Sequence, residues 1–431
     1  MNFDYVKNLK TPIAIIGFGK SGQSAFNLLR AIGFSETQLI SYDEKISTAK
    51  VHDVPTLLSL QPQTLVVSPG VPLNSAWIVD AKNKDLHITS EINLAASLLS
   101  SEKVVGVTGS VGKSTVVSLL GAAVQSFDAH AFVGGNLGIP FCDYALKKIS
   151  DTQPPAKWIV LELSSYQLEN CELLKLEHSI ISFLSPNHLE RYPSLSDYYM
   201  TKMKITAMTR GFCIMNKTSE DCRAYAARSK CKTVLVNADT FTNQGLLHEI
   251  FLIGAHNKDN FTLAAELALL SAWPEECLLE MAKYKGLSHR LEFVASLDGV
   301  TYINDSKATA MDSVLVAARG CIEGIKAPNK LFLLLGGKDK NLPWHELSVL
   351  SASDVINPVF FGACGELARN KSQLTGEYFE KLGSAINFCQ KRAHSGDVVL
   401  LSPGGTSLDE FKNFEERGDF FKTLILSQID A

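Results

Sequence analysis

Short apolar runs that stop at glycine or Ser-Pro-Gly, each followed by a stretch of helical period, recur along the chain. The run TPIAIIG (11–17) reads as a buried strand, with Gln23 to Ala31 as the helix after it. QLISYD, ending at Asp43, TLVVSPG (64–70) and LHITSEI (86–92) read as further strands. VVGVTG then opens into a helix from Lys113 to about Phe127, on which Val116, Leu120, Ala123, Val124 and Phe127 fall near a 3.6-residue repeat. WIVLELSS (158–165), FCIMN (212–216) and TVLVN (233–237) are strands, GGNLGIP (134–140) is loop, and Ser194 with Asp197 caps a helix running to about Arg210. KGLSHRLEFV (285–294) reads as a hinge, after which TYINDSKATAM (301–311), LFLLLGGKDKN (331–341), PVFFG (358–362) and VVLLSPGG (398–405) repeat the strand-then-glycine pattern.

Strands alternating with helices predict an α/β protein with mostly parallel sheets. The 431 residues suit two or three domains, at the usual ~100–200 residues each. The expected division is a Rossmann-like N-terminal domain (1–95), a central P-loop ATPase-like domain (96–286) and a Rossmann-like C-terminal domain (287–431).

The stretch GVTGSVGKST carries the most specific chemistry. A strand, a glycine turn and a helix N-terminus bring backbone N–H groups and partial positive charge against phosphate oxygens. Lys113 would neutralise terminal phosphates, and the Ser114 hydroxyl suits Mg²⁺. The glycines, Gly106, Gly109 and Gly112, depart from the usual spacing at Val107. A second glycine turn, GFGKSG, satisfies G-x-G-x-x-G, with Asp43 about twenty residues on. Parallel sheets bind ligands at the carboxyl ends of their strands, where Lys20, Ser21, Asp43 and Ser68 to Gly70 fall.

Three residues stay open to two readings each. Glu162, in an apolar strand, is either a salt-bridged carboxylate or one that meets a cation at the sheet edge. His188 is a loop residue or a ligand. Lys202 either snorkels to water or points into a site. Asn260, like Asn257, sits where a helix starts and suits a cap. His289 and Arg290 lie at the hinge, where domain closure would carry them onto a nucleotide.

Composition narrows the function classes. A net charge of −4 gives no general attraction for nucleic acid. No apolar run approaches the ~20 residues of a membrane span, and Met1–Lys10 lacks the basic and apolar segments of a signal peptide. The nine cysteines are scattered without C-x-x-C, which argues against a disulfide framework or zinc site and for reduced thiols in the cytoplasm.

Taken together, GVTGSVGKST, GGNLGIP, LELSSYQLE, HLERYP with Y-x-x-x-K, SHRLE, INDSKAT, LLLGGKDK and SPGGTSLDEFKNFEERG resemble the Mur ligase family. The final block is most similar to the branch that joins D-glutamate to UDP-N-acetylmuramoyl-L-alanine. The resemblance implies a monomeric, ATP- and Mg²⁺-dependent amide ligase of peptidoglycan synthesis, with a pair of Mg²⁺ ions. It implies that Gly109, Ser110, Val111, Gly112, Lys113, Ser114 and Thr115 hold ATP, with Asn260, Arg290 and Asp305. Glu162, His188, Ser114 and a carbamylated Lys202 would hold the metal, and Lys113, Glu162, His188 and Lys202 would be catalytic. Lys20, Ser21, Ser68, Pro69, Gly70 and Asn136 would contact the uridine substrate, and Lys307, Thr309, Lys340, Ser407 and Phe414 the D-glutamate. The chain departs from the family at Asn187, where Asp is frequent, and at Gly404 and Gly405, where relatives have small side chains.

Other readings predict different behaviour. Another Mur-type ligase or a folylpolyglutamate synthase shares the loop but takes another acceptor. A nicotinamide-dependent dehydrogenase rests on GFGKSG alone, and a nucleotide-dependent binding protein would bind ATP without D-glutamate-dependent phosphate release.

Overall fold

A computed structural model describes residues 3–186, 191–252, 254–322 and 324–427. Contacts divide the chain into two units, Met1–Thr242 with Asp259–Met281, and Asn243–Lys258 with Ala282–Ala431. Among the described residues no helix is long and apolar enough to cross a membrane.

The first unit holds two parallel sheets. One consists of β1 (Ile13–Ile16), β2 (Leu39–Tyr42), β3 (Thr64–Val67) and β4 (His87–Thr89), in the order β2-β1-β3-β4. The other consists of β5 (Lys103–Thr108), β6 (Phe132–Gly135), β7 (Trp158–Glu162), β8 (His178–Ile181), β9 (Phe212–Asn216) and β10 (Lys232–Val236), in the order β10-β9-β8-β5-β7-β6. The strands IAII, LISY, TLVV and WIVLE are buried at every position, as parallel strands covered on both faces require. A continuous apolar core joins the two sheets, running from Leu28 and Leu29 through Ile92 to Phe141 and Tyr144. Ser24 adds a polar tie across it, donating to Asp143 Oδ1 at 2.5 Å.

The second unit carries β11 (Glu292–Leu297), β12 (Val300–Asn304), β13 (Leu331–Gly336), β14 (Ile356–Phe361), β15 (Glu377–Phe379) and β16 (Val398–Gly404). Their order is β11-β12-β16-β13-β14-β15, with β11 antiparallel and the others parallel. The strand-then-glycine pattern thus reports α/β architecture correctly in all three sheets.

Several expected strands are shorter than the sequence pattern implies, TLVVSPG ending at Val67 among them, and in two cases a serine cap on the next helix is the reason. LHITSEI ends at Thr89, because Ser90 caps the helix Glu91–Ser97 by accepting the Asn93 N–H at 3.2 Å. WIVLELSS ends at Glu162, and Ser164 with Gln167 forms a capping box for the turn that follows. Gly134 and Gly135, read as loop, complete β6. Asn257 and Asn260 lie inside the helix Ala255–Leu270 and are not its cap.

Candidate active site

The phosphate loop joins β5 to the helix Lys113–Gln125. Gly109 has φ +147°, and a Cβ there would sit 2.2 Å from Ser182 Oγ. Gly112 has φ +85°, and a Cβ there would sit 2.6 Å from Asn260 Oδ1. Both glycines are therefore required by backbone conformation and by space. Asn260, distant in sequence, is laid against the loop by the helix that carries it. Gly112 is also the N-cap, with no side chain to satisfy the first turn. That leaves helix N–H groups for an anion.

Ser110 holds the loop in place. Its N–H donates to Phe183 O at 2.6 Å, and its hydroxyl donates to Ser185 O at 2.8 Å while accepting from Tyr198 Oη at 3.1 Å. Lys113 Nζ reaches back to Gly109 O at 2.9 Å and Ser110 O at 3.1 Å. Val111 is exposed at the tip, with Ser114 and Thr115 half-buried in the first turn.

Glu162, at the carboxyl end of β7 beside the loop strand, is 2% exposed. Asn136 Nδ2 donates to its Oε1 at 2.7 Å. Among the described residues its Oε2 is buried with no hydrogen-bond partner, and so is Thr108 Oγ1. An orphaned carboxylate oxygen of this kind is costly unless a cation meets it. Lys202, on the helix Leu195–Met208, is 1% exposed and donates to Gly109 O at 2.7 Å. It does not snorkel. Its Nζ lies 4.6 Å from the Tyr198 ring centroid. Burial first and the Lys113 charge second push the amine down to about 7, against the opposing pull of Glu162.

These groups fit a nucleotide triphosphate and a hard divalent cation. The loop has two conformationally demanding glycines, an uncapped helix start and a lysine; Glu162, Thr108 and Ser114 supply oxygen donors. No cluster of three His, Cys, Asp or Glu side chains gathers among the described residues. His188 and its neighbour Asn187 lie outside the described residues.

A cavity of about 710 Å³ opens at the carboxyl ends of β1 and β3. Lys20, Ser21, Ser68, Pro69, Gly70 and Asn136 all line it, as do Tyr42, Trp77 and Gln167, which the sequence did not single out. Asp43 also faces it, but its oxygens accept the N–H groups of Phe18, Lys45 and Ile46 at 2.8, 2.9 and 3.0 Å. Burial works to raise this carboxyl, and the backbone donors outweigh it and hold it low. Asp43 thus fixes the turn around GFGKSG, where a dinucleotide enzyme would use the carboxylate to read a ribose.

In the second unit, Asp305, Lys307 and Thr309 follow β12, Lys340 follows β13, and Ser407 follows β16, all at the carboxyl edge of one sheet. Phe414 opens the helix Phe414–Leu426, and Lys307 Nζ lies 5.6 Å from its ring centroid. Lys307 and Lys340 are exposed, and Ser407 is buried. Asp305 is buried, with Ser402 Oγ donating to Oδ2 at 2.8 Å and the Leu291 N–H to Oδ1 at 3.2 Å. Burial pushes its carboxyl up to about 7. Arg290 is exposed, whereas His289 is buried in its own unit, edge-on to Phe414 at 6.0 Å and beside Asn304 Nδ2 at 3.1 Å.

Sequence reasoning missed Arg417. It sits in a charged stretch, FEERGD, yet is 0% exposed. Its guanidinium donates to Ser306 Oγ at 3.0 Å, Ser306 O at 2.7 Å and Gly405 O at 3.1 Å. It therefore ties the loop carrying Lys307 to the loop carrying Ser407. A glycine pair at 404–405 with a charged helix downstream was the available signal, and helical period alone would have put the arginine in water.

The fold and the loop define an α/β enzyme of the P-loop nucleotide-binding class. The family model for the Mur ligase middle domain matches residues 107–266. The chain is 33% identical to the UDP-N-acetylmuramoylalanine--D-glutamate ligase of Acidobacterium capsulatum over 97% of each chain. It is 34% identical to the ligase of the same name from Myxococcus xanthus (strain DK1622), over 96% of this chain and 97% of the relative. The solved MurF ligase from Thermotoga maritima in complex with ADP shares the fold, with a TM-score of 0.58 at 15% identity over 90% of this chain and 95% of that one. The chain belongs to the Mur ligase family, and is an ATP-dependent ligase.

Proposed function

We propose that the chain joins D-glutamate to UDP-N-acetylmuramoyl-L-alanine at the expense of ATP, as a monomer in the cytoplasm. The observation that carries this reading is the Lys202 amine, donated to the phosphate-loop carbonyl of Gly109 and within the field of Glu162 and Lys113. Relatives named for that reaction, matching over nearly the whole length, support the choice of substrates.

A carboxylate is a poor electrophile, so amide formation first needs one of its oxygens made into a leaving group. Phosphoryl transfer to the L-alanyl carboxylate gives an acyl phosphate; the D-glutamate amine attacks, and phosphate leaves from the tetrahedral intermediate. Two anions must approach each other for this. Lys113 and the loop N–H groups other than that of Ser110, which the Phe183 carbonyl occupies, offset the repulsion and stabilise charge on the transferred group. Glu162, Ser114, His188 and a carbamylated Lys202 would hold Mg²⁺, which supplies further charge neutralisation at the phosphates. Asn136 orients Glu162 through the 2.7 Å bond. The depressed basicity of Lys202 populates the neutral amine that carbamylation consumes. Asn260, Arg290 and Asp305 complete the nucleotide site in this reading. Lys20, Ser21 and Ser68 to Gly70 grip the uridine nucleotide, and Lys307, Thr309, Lys340, Ser407 and Phe414 receive the amino acid.

Oxygen-18 in the alanyl carboxylate tests the chemistry. The proposal predicts that one labelled oxygen appears in the released phosphate. Unlabelled phosphate alongside amide product would contradict an acyl phosphate.

A further inference from the structure

Within the first unit, Arg191 connects the loop after β3 to the segments packed against the phosphate loop. Its side chain is 11% exposed and uses the guanidinium on two sides. Nη1 donates to Pro69 O at 3.0 Å and Nη2 to Val71 O at 3.4 Å. Nε and Nη2 also donate to the two carboxylate oxygens of Glu169, at 3.2 and 2.7 Å. The guanidinium carbon lies 3.9 Å from the Tyr166 ring centroid. A two-toothed grip on a carboxylate combined with stacking is a task that lysine does not reproduce.

What Arg191 holds is a wall of the large cavity. Ser68, Pro69, Gly70 and Val71 all line that cavity. One end of the loop is fixed by Ser68 Oγ, which donates to Gly17 O at 2.7 Å. The other end is fixed by the paired carbonyl contacts of Arg191, which straddle Gly70. A glycine at this point has wide conformational freedom when unrestrained. Fixing the carbonyls on both sides removes that freedom before a ligand arrives, so less order has to be created on binding.

The anchor is itself held. Tyr192 Oη donates to Glu169 Oε1 at 2.8 Å, and the Tyr192 ring lies 5.3 Å from that of Tyr198. Tyr198 in turn donates to Ser110 in the phosphate loop at 3.1 Å. Arg191 is therefore braced from the side of the unit that carries the nucleotide loop.

We propose that Arg191 is a positioning residue that preforms the Ser68–Val71 loop for the uridine nucleotide of the substrate. It rests on the preceding reading for the identity of that ligand. The Arg191 fork sets the loop's carbonyls, and the phosphate loop does not depend on it for ATP.

Full-length Arg191→Lys and Glu169→Gln proteins test this by steady-state kinetics and by amide hydrogen exchange without ligand. For Arg191→Lys, KM for UDP-N-acetylmuramoyl-L-alanine should rise about tenfold, with kcat and the KM for ATP changed less than about twofold. Exchange at Gly70, Val71 and Leu73 should quicken while β5 and the helix Lys113–Gln125 keep their protection. Glu169→Gln should move KM and exchange the same way by a smaller factor, and it decides the matter if Arg191→Lys does not fold. Unchanged KM and unchanged loop exchange would overturn the proposal, as would a fall in kcat with both KM values constant. If the wild type does not turn over this nucleotide, the substrate reading fails, and loop exchange in the variants still decides the role of Arg191.

Discussion

Lys202 donates to the carbonyl of Gly109 at 2.7 Å, across 93 residues of sequence. A buried amine thereby touches the first glycine of the phosphate loop, with the half-satisfied carboxylate of Glu162 acting on it from β7. Positive charge, a metal-seeking oxygen and an anion-binding loop share one end of one sheet. Phosphoryl transfer between two anions needs that combination.

Lys113→Ala removes the cation of the loop, with its hydrogen bonds to the Gly109 and Ser110 carbonyls, and leaves the glycines themselves in place. D-glutamate-dependent phosphate release should fall by ~10³-fold or more. Circular dichroism and the thermal midpoint should stay at wild-type values. Substantial ligase activity in this variant would remove Lys113 from the assigned role.

Lys202→Ala opens a small polar space beside Gly109. Activity should fall by about 10–100-fold or more, the usual effect of losing a group that completes a metal site. Short-chain carboxylates such as acetate should restore part of it by standing in for the carbamate. Full activity without additive would place Lys202 outside the site.

Asp305 gives a pH signature. Burial lifts its carboxyl to about 7 in the folded chain, with Ser402, the Leu291 N–H and Arg290 reversing only part of the rise. In the unfolded chain an aspartate titrates near about 3.9. Between those values the folded state binds more protons, so this contribution to stability is complete below the lower pKa and is lost as pH rises through the upper one. Asp305→Asn should remove that loss. Its thermal midpoint should gain on the wild type as pH goes from about 5 to about 8. A pH-independent difference would show that Asp305 does not titrate in this range.

Arg417→Met leaves the carbonyls of Ser306 and Gly405 without their donor. Denaturant unfolding should show a loss of about 3 kcal/mol. Protein that remains folded should need more D-glutamate for half-maximal rate while its KM for ATP holds. Unaltered stability would mean that the loops around Lys307 and Ser407 are held by other contacts.

Much of the fold could be read from the chain because its strands are short, fully apolar and punctuated by glycine. Val104, Val105 and Val107 point to β5 without any tertiary information, and the helix after Gly112 follows from its period. Strand ends were less readable: Ser90 and Ser164 stop β4 and β7 by capping the next helix, a local hydrogen bond that hydrophobicity does not encode. The site divides in the same way. Lys113 and Gly112 belong to one contiguous motif, whereas Asn260 reaches Gly112 only through folding. Arg191 and Arg417 were invisible because charge normally signals solvent, and their burial is made possible by carbonyls and a carboxylate from other segments, the Pro69 and Ser306 carbonyls lying more than 100 residues away.

The most direct test of the central claim is phosphate release from ATP with UDP-N-acetylmuramoyl-L-alanine, comparing D-glutamate with L-glutamate. Release should depend on the D-isomer and match amide product in amount. Equal rates with both isomers, or ATP turnover without amide, would contradict it.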